Sequence, residues 1–474
     1  MKKISFIVCL FLANFGFSQS DEIHEDVARI IDVWLDAQRD YDKLPAISVA
    51  VVQDQDILWK NAYGESNMED GVPAETTTIC SICSISKLFT SVAIMKLVEE
   101  GKLRLDDKIE DLLPWFDLKQ QFDDSWPVTI RSVMTHSSGL PREANFPYWT
   151  GPDFPFPAKK DIDSNLKNQE TLYPSSTYFQ YSNLGLTLLG EIVEEVSGMP
   201  YDEYIQKNIL EPLRLDDTRT ELPEDLYGKQ LAIGYSPQYR DGSRKKVQFF
   251  QANGIKPAAG FSSNVEDLAR FASWQFRLLD SSQTEILQSS TLKYMQNVHW
   301  TDPDFETTWG LGFAVYKGPD GSKWVGHGGS CPGYRTVLQL NPKSKIAYVV
   351  MINAGGENPA KYANGIRSIL AQKKPEKDSL KTAPNLSDYT GYYDLKPWYN
   401  EMYIGVWGDK LVTLDLPTGN PGEGMDYLQH VEGDTFRRIR DNQELGETVV
   451  FERDENGKVY RLMHHNNYSK KMEQ

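Results

Sequence analysis

Hydrophobic and polar positions along the chain predict a set of elements before any chemistry is considered. Ala46 to Val52 alternates and then runs apolar, Gln53-Asp54-Gln55-Asp56 breaks it, and Ile57 to Tyr63 resumes and ends at Gly64. That pattern is a β-hairpin. From Ser84 the period changes to the helical one, with Leu88, Phe89, Val92, Met95 and Leu97 apolar and Gly101 closing the segment. Further helices are predicted over Leu184 to Val196, stopped by Ser197-Gly198-Met199-Pro200, and over Val265 to Leu279. Tyr334 to Leu340 and Ile346 to Asn353 form a second hairpin across Asn341-Pro342-Lys343-Ser344, and a helix over Ala360 to Gln372 follows. Strands at both ends with helices between them predict one α/β domain whose sheet joins its termini.

Residues 373–387 are charged and proline-bearing, have no apolar period, and read as a linker. Beyond them, over 388–474, come short strand-like pieces: YTGYYDL, EMYIGVW, KLVTLDL, TVVFER and KVYRLM, separated by Gly, Asp and Asn turns. These predict a small all-β barrel or sandwich.

The 474 residues carry a net charge of −17 and are 40% hydrophobic and 25% charged, which is a globular composition. An acidic chain argues against nucleic acid as a partner, because phosphate binding needs clustered Lys and Arg. No apolar run reaches the roughly 20 residues that span a bilayer. At the N-terminus, Lys2 and Lys3 precede an apolar stretch from Ile4 to Phe15, and Gly16 and Ser18 are small residues suited to cleavage after Ser18. Residues 1–18 therefore read as an export signal, and the mature chain as periplasmic or secreted.

Cys80, Cys83 and Cys331 remain after cleavage, and an odd number leaves at least one thiol unpaired within the chain. Cys80 and Cys83 make a C-x-x-C, but no second pair or histidine couple completes a metal site, so they read as small buried residues.

The chemistry begins with S-x-x-K, in which Ser and Lys share a helix face and the amine can take the hydroxyl proton. Four such tetrads occur, starting at Ser84, Ser164, Ser243 and Ser290. Only Ser84 opens a long apolar helix behind a strand-like segment. A serine there has the positive end of the helix dipole beside it, and Lys87 one turn inward is desolvated, which lowers its pKa.

Further blocks follow in order: MTHSSGLP (134–141), Tyr181-Ser182-Asn183, PAAGFSSNVEDLARF (257–271), WGLGF (309–313) and GHGGSCPGY (326–334). With the Ser84 tetrad and the opening hairpin, they resemble the serine β-lactamase-like family of class C β-lactamases, D-alanyl-D-alanine carboxypeptidases, D-aminopeptidases and esterases. The resemblance covers about Ala46 to Ala371. It implies an α/β domain of the α+β type, with an antiparallel sheet flanked by helices plus a helical insert, over 19–372 (the penicillin-binding, β-lactamase-like fold). The segment around LSDYTGYYDL looks like the small β domain often appended to such enzymes.

The resemblance also implies roles. Ser84 is the nucleophile, Lys87 its base, and Tyr181 the proton relay to the leaving group. Asn183 binds the substrate amide or holds Lys87. His327-Gly328-Gly329 falls where many members carry Lys-Thr-Gly, and the backbone N–H groups of Ser84 and Ser330 form the oxyanion hole. His136 is given packing alone. A histidine in place of the lysine lowers the fixed charge for a β-lactam carboxylate, being partly charged near pH 6.5 and mostly neutral above. Gly328 removes a hydroxyl. The expected activity is therefore amide or ester hydrolysis of a small-molecule or peptide substrate without metal or organic cofactor. True β-lactamase activity, or wall or glycan binding without turnover, stand as alternatives. Oligomeric state is left open. Finally, residues 142–178 are rich in aromatics and proline; Phe146, Tyr148, Trp149, Phe154 and Phe156 either line the cleft or pack down as a rigid flap, and the first is expected because long loops in compact domains are usually functional.

Overall fold

A computed structural model describes residues 23–318, 320–376, 384–394 and 400–473. Residues 1–18, read as an export signal, and part of the 373–387 segment, read as a linker, lie outside the described residues.

The chain starts with an element the periodicity reading did not place, α1 (Glu25–Tyr41). Val27, Ile30, Ile31, Trp34 and Leu35 make one buried helical stripe, while the acidic and basic residues between them take the other face. Next come β1 (Ala46–Gln53) and β2 (Asp56–Asn67), the expected hairpin, followed by α2 (Ser86–Glu99), α3 (Asn183–Ser197) and α4 (Val265–Asp280). The domain ends with β3 (Lys323–Cys331), β4 (Tyr334–Asn341), β5 (Ile346–Ile352) and α5 (Pro359–Leu370).

These strands form the middle of an antiparallel sheet in the order β2-β1-β5-β4-β3, extended by shorter strands at both edges. β1 pairs with β5 from Ile47–Ile352 to Gln53–Ile346, so the two ends of the domain are closed on each other. One sheet face packs on α2, α3 and α4. Ser86 to Met95 of α2 is buried all round, as expected of a central helix. The opposite face is covered by α1 and α5, where Trp34 and Tyr362 lie 6.3 Å apart.

Eight strands from Gly391–Tyr393 to Asn467–Lys470 form a second sheet in chain order, and Tyr393 bridges to Lys471, closing it into a barrel. Sequence periodicity indicated five of these strands. Thr435–Ile439 and Asn467–Lys470 escaped because few of their residues are apolar, and Met425–Glu432 because its apolar residues, Met425, Tyr427, Leu428 and Val431, do not keep a strict alternation. The barrel rests against α1: the Trp34 indole donates to the Thr418 carbonyl at 2.9 Å, and the Gly408 N–H donates to Asp26 at 2.8 Å.

The segment 142–178 differs from expectation. Tyr148 and Phe156 are buried, and Phe146 and Phe154 pack against the core, with Phe154 and Phe156 both meeting Phe250. The aromatics thus bury one another as a packed flap. Trp149 alone among the five lines the cleft.

Candidate active site

Ser84 sits in a single 3-10 turn, Cys83–Ile85, that runs straight into α2. Cys83 takes the left-handed backbone conformation, with φ of 50°, and so turns Ser84 out of the helix line. Such a conformation costs about 1–3 kcal/mol and needs support from its surroundings. Ser86 supplies some of it, donating to the Cys83 carbonyl at 2.5 Å and accepting from the Phe261 N–H at 3.0 Å. β3 presses on the same turn. A Cβ on Gly329 would lie 2.2 Å from the Thr336 hydroxyl and 2.3 Å from the Ile82 carbonyl, so glycine is required for this close approach.

Lys87 is fully buried one turn on. Its Nζ lies 3.1 Å from Ser84 Oγ, 2.8 Å from Asn183 Oδ1 and 2.7 Å from the Ala258 carbonyl. Burial drives its pKa well below the usual lysine value; Arg142 pushes it the same way, and Glu143 opposes both. A neutral amine has two N–H bonds and one lone pair. Asn183 and Ala258 take the two hydrogens, which leaves the lone pair for the hydroxyl proton of Ser84.

Asn183 is oriented from behind. Its Nδ2 donates to both oxygens of Glu143 at 2.9 Å, so Oδ1 faces Lys87. Glu143 also accepts from the Tyr148 hydroxyl and pairs with Arg142 at 3.1 Å. Neither Glu143 nor the Ala258 carbonyl was singled out by sequence reasoning. Glu143 reads as an ordinary surface charge in a turn, and a backbone carbonyl has no side-chain signature. The one available signal was the PAAGF block itself, which contains Ala258.

Tyr181 precedes α3, which Ser182 caps by accepting from the Gly185 N–H at 2.8 Å. Burial raises the pKa of Tyr181, against a smaller opposite effect of the nearby Ser84 hydroxyl, so it is held as the phenol. His136 lies against the Tyr181 ring at 4.3 Å and accepts from the Ser182 N–H at 3.2 Å, as a packing residue does. Trp309 of the WGLGF block packs on His136 and His327.

His327 needs a correction. It is buried, with Nδ1 2.6 Å from the Gly328 carbonyl and Nε2 without a partner. Burial and the neighbouring Lys87 hold its pKa down at about 3, so it is neutral near pH 6.5 rather than partly charged.

The structure brings Ser84, Tyr181, Asn183, His327, Gly329 and Ser330 to the wall of one cleft of 690 Å³, with Lys87 behind Ser84. Cys83 and Cys331, whose meeting the sequence left open, are joined as a disulfide with Cα atoms 5.6 Å apart, and among the described residues Cys80 is the free, buried thiol. The other S-x-x-K serines, Ser164, Ser243 and Ser290, do not line this cleft.

A sheet closed between its ends, a buried Ser-Lys pair under a tyrosine, and a glycine-bearing strand at the cleft define a fold of the β-lactamase and penicillin-binding type. The chain belongs to the beta-lactamase family, whose model matches residues 32–372; a domain of unknown function, DUF3471, matches 372–473. It is 25% identical over 360 residues to Protein flp of Staphylococcus aureus strain MW2, covering 74% of this chain and 68% of that protein. It is also 25% identical to beta-lactamase-like protein 2 of Dictyostelium discoideum, over 68% of this chain and 58% of that one. Among solved structures, an octameric penicillin-binding protein homologue from Pyrococcus abyssi superposes with a TM-score of 0.64 at 28% identity, over 94% of this chain and 100% of that one.

Proposed function

We propose that this chain is an exported serine hydrolase that cleaves an amide or ester bond through an acyl-enzyme on Ser84. One observation carries the reading: a fully buried lysine whose two N–H bonds are taken by Asn183 and Ala258, with its third contact on Ser84 Oγ at 3.1 Å.

In the proposed course, Ser84 Oγ attacks the substrate carbonyl while its proton passes to Lys87 Nζ. The tetrahedral oxyanion is held by the N–H groups of Ser84 and Ser330. Tyr181 donates its hydroxyl proton to the leaving atom as the carbonyl–leaving-group bond breaks, and the Lys87 ammonium restores that proton. Water then attacks the ester on Ser84, its proton returning through the same groups. Export is supported by the leader-like N-terminus and by the Cys83–Cys331 disulfide, a bond that persists in oxidising compartments.

The test is intact-protein mass spectrometry over time with benzylpenicillin, a p-nitrophenyl ester and a D-Ala-D-Ala peptide. An adduct on wild type that is lost in Ser84→Ala supports the acyl-enzyme. Rapid penicillin turnover without a lasting adduct would make the chain a β-lactamase. Neither adduct nor turnover with any of the three would overturn the reading in favour of a binding protein.

A further inference from the structure

Two basic groups reach the ring of Tyr181. Lys87 Nζ and the Arg142 guanidinium carbon each lie 4.9 Å from its centroid, inside the roughly 6 Å over which a cation and an aromatic face attract. Lys87 already has a part in the proposed chemistry, and Arg142 has none. Arg142 is nonetheless held in place at both its main chain and its side chain. Its carbonyl accepts from the Asn183 N–H at 2.7 Å and the Leu184 N–H at 3.3 Å, which satisfies orphan donors in the first turn of α3. Its Nε pairs with Glu143 at 3.1 Å, and Glu143 is anchored in turn on Asn183 and Tyr148. The side chain is 58% exposed and lines the cleft, so a bound substrate covers it.

The titratable and charged groups facing Tyr181 come from four places: Ser84 and Lys87 at the start of α2, His136, the adjacent pair Arg142 and Glu143, and His327 on β3. Burial keeps both histidines neutral. Lys87 enters the proposed acylation neutral and becomes an ammonium only after taking the Ser84 proton. Glu143 opposes a positive charge at the ring, but its carboxylate is shared among Asn183, Tyr148 and Arg142. A guanidinium does not give up its proton. Of the basic groups at this ring, Arg142 therefore supplies the charge that stays positive through the whole cycle.

We infer that Arg142 is a positioning residue that acts through Tyr181, its guanidinium stabilising the negative charge the tyrosine acquires as its proton passes to the leaving atom. This rests on the hydrolase reading above and names a residue that sets which leaving groups the site expels. In that step the bond from the carbonyl carbon to the leaving oxygen breaks with its electron pair on the oxygen. The Tyr181 hydroxyl proton neutralises that oxygen, and the Lys87 ammonium then returns a proton to the phenolate. A contact between cation and ring is weak while the cation is wet and strengthens severalfold once it is desolvated. Substrate in the cleft desolvates Arg142, so its effect is largest in the bound complex, where proton transfer occurs.

The experiment reads acylation as kcat/KM for p-nitrophenyl, p-chlorophenyl and phenyl acetate on the full chain. p-Nitrophenolate leaves as a stable anion and needs little of the Tyr181 proton, whereas phenolate needs it most. Arg142→Gln keeps the carbonyl that caps α3 and removes only the charge. Its loss should grow with the basicity of the leaving group, so that the p-nitrophenyl to phenyl ratio rises about tenfold to thirtyfold. Arg142→Lys should return part of that change. A residue that merely held Asn183 or its turn in place would slow all three esters equally, so an unchanged ratio overturns the inference. A second measurement needs no turnover. With Tyr181 replaced by 3,5-difluorotyrosine, fluorine NMR across pH follows ionisation of that phenol, which Arg142→Gln should move to higher pH. No movement, or movement to lower pH, refutes the hold of Arg142 on Tyr181. If wild type turns over none of the esters and the NMR shift is present, the hydrolase reading has failed and the hold of Arg142 on Tyr181 stands.

Discussion

Glu143 grips the side-chain nitrogen of Asn183 with both carboxylate oxygens, each at 2.9 Å, and thereby decides which end of that amide meets Lys87. The same carboxylate raises the pKa of Lys87 through space, against the larger opposite effect of burial. One residue thus positions the Lys87 amine and tunes it. Removing its charge has a definite sign. In the proposed mechanism the attacking form needs neutral Lys87, so the acid limb of the pH–rate profile should follow the lysine pKa. In Glu143→Gln that pKa falls and the limb moves to lower pH. The plateau should drop by roughly 10–100-fold, because a loosened Asn183 misplaces the amine. Acylation rates measured across pH in both proteins check this. A limb that stays put or moves upward would sink the idea.

Gly329 and Gly328 are neighbours with opposite tolerance. A Cβ at Gly329 collides with Thr336 and the Ile82 carbonyl, whereas at Gly328 the nearest atom, the Thr336 carbonyl oxygen, is 3.7 Å away. Gly329→Ala forces β3 away from the Ser84 turn. It should cost about 1–3 kcal/mol of stability and most of the acylation rate. Gly328→Ala should leave the melting temperature nearly unchanged. Thermal melts of the pair, with acylation measured beside them, separate the two; equal behaviour would refute the packing argument.

Part of this site is legible in the sequence for physical reasons. The helix behind Ser84 is buried all round, so its apolar run is unmistakable, and Ser84 and Lys87 sit at its start in a fixed relation of one turn. Tyr181 and Asn183 lie ahead of another apolar helix. Contacts made across long separations are not legible in this way. Glu143 acts on Asn183 through a turn packed by Tyr148, and Ala258 acts through its backbone. α1 is obscured because its buried stripe is interleaved with charges, and its partner Thr418 lies 384 residues away. The aromatics of 142–178 were misread because an apolar side chain near a cleft buries itself equally well against its neighbours; Phe250, which completes that cluster, is far along the chain. His327 was expected to titrate because a free histidine does so, whereas its burial is a property of the assembled sheet.

The Cys83–Cys331 disulfide closes a separation of 248 residues and ties the residue before Ser84 to the residue after Ser330. Denatured, unreduced mature protein should therefore show one reactive thiol, Cys80, and three after reduction. Cys83→Ser together with Cys331→Ser should lower stability by about 2–5 kcal/mol, since a cross-link of this reach restrains the unfolded chain. Acylation should slow as well, because both halves of the proposed oxyanion hole flank the bond. Three reactive thiols before reduction would refute the pairing.

His327 makes stability depend on pH in a predictable direction. In the unfolded chain its imidazole takes a proton near pH 6.5, as an ordinary histidine does, whereas in the fold it stays neutral down to about pH 3. Below pH 6.5 the unfolded state therefore binds a proton that the folded state refuses. Stability falls as pH falls, by roughly 2–3 kcal/mol from this residue between pH 6.5 and 4.5. His136, buried beside the same cleft and also lowered, adds to the slope with the same sign. Urea unfolding at pH 7, 5.5 and 4.5 should show a steeper loss for wild type than for His327→Leu, which has no proton to exclude. Parallel losses in the two proteins would mean that His327 is protonated in the folded state. The neutral cleft wall deduced from its burial would then be wrong.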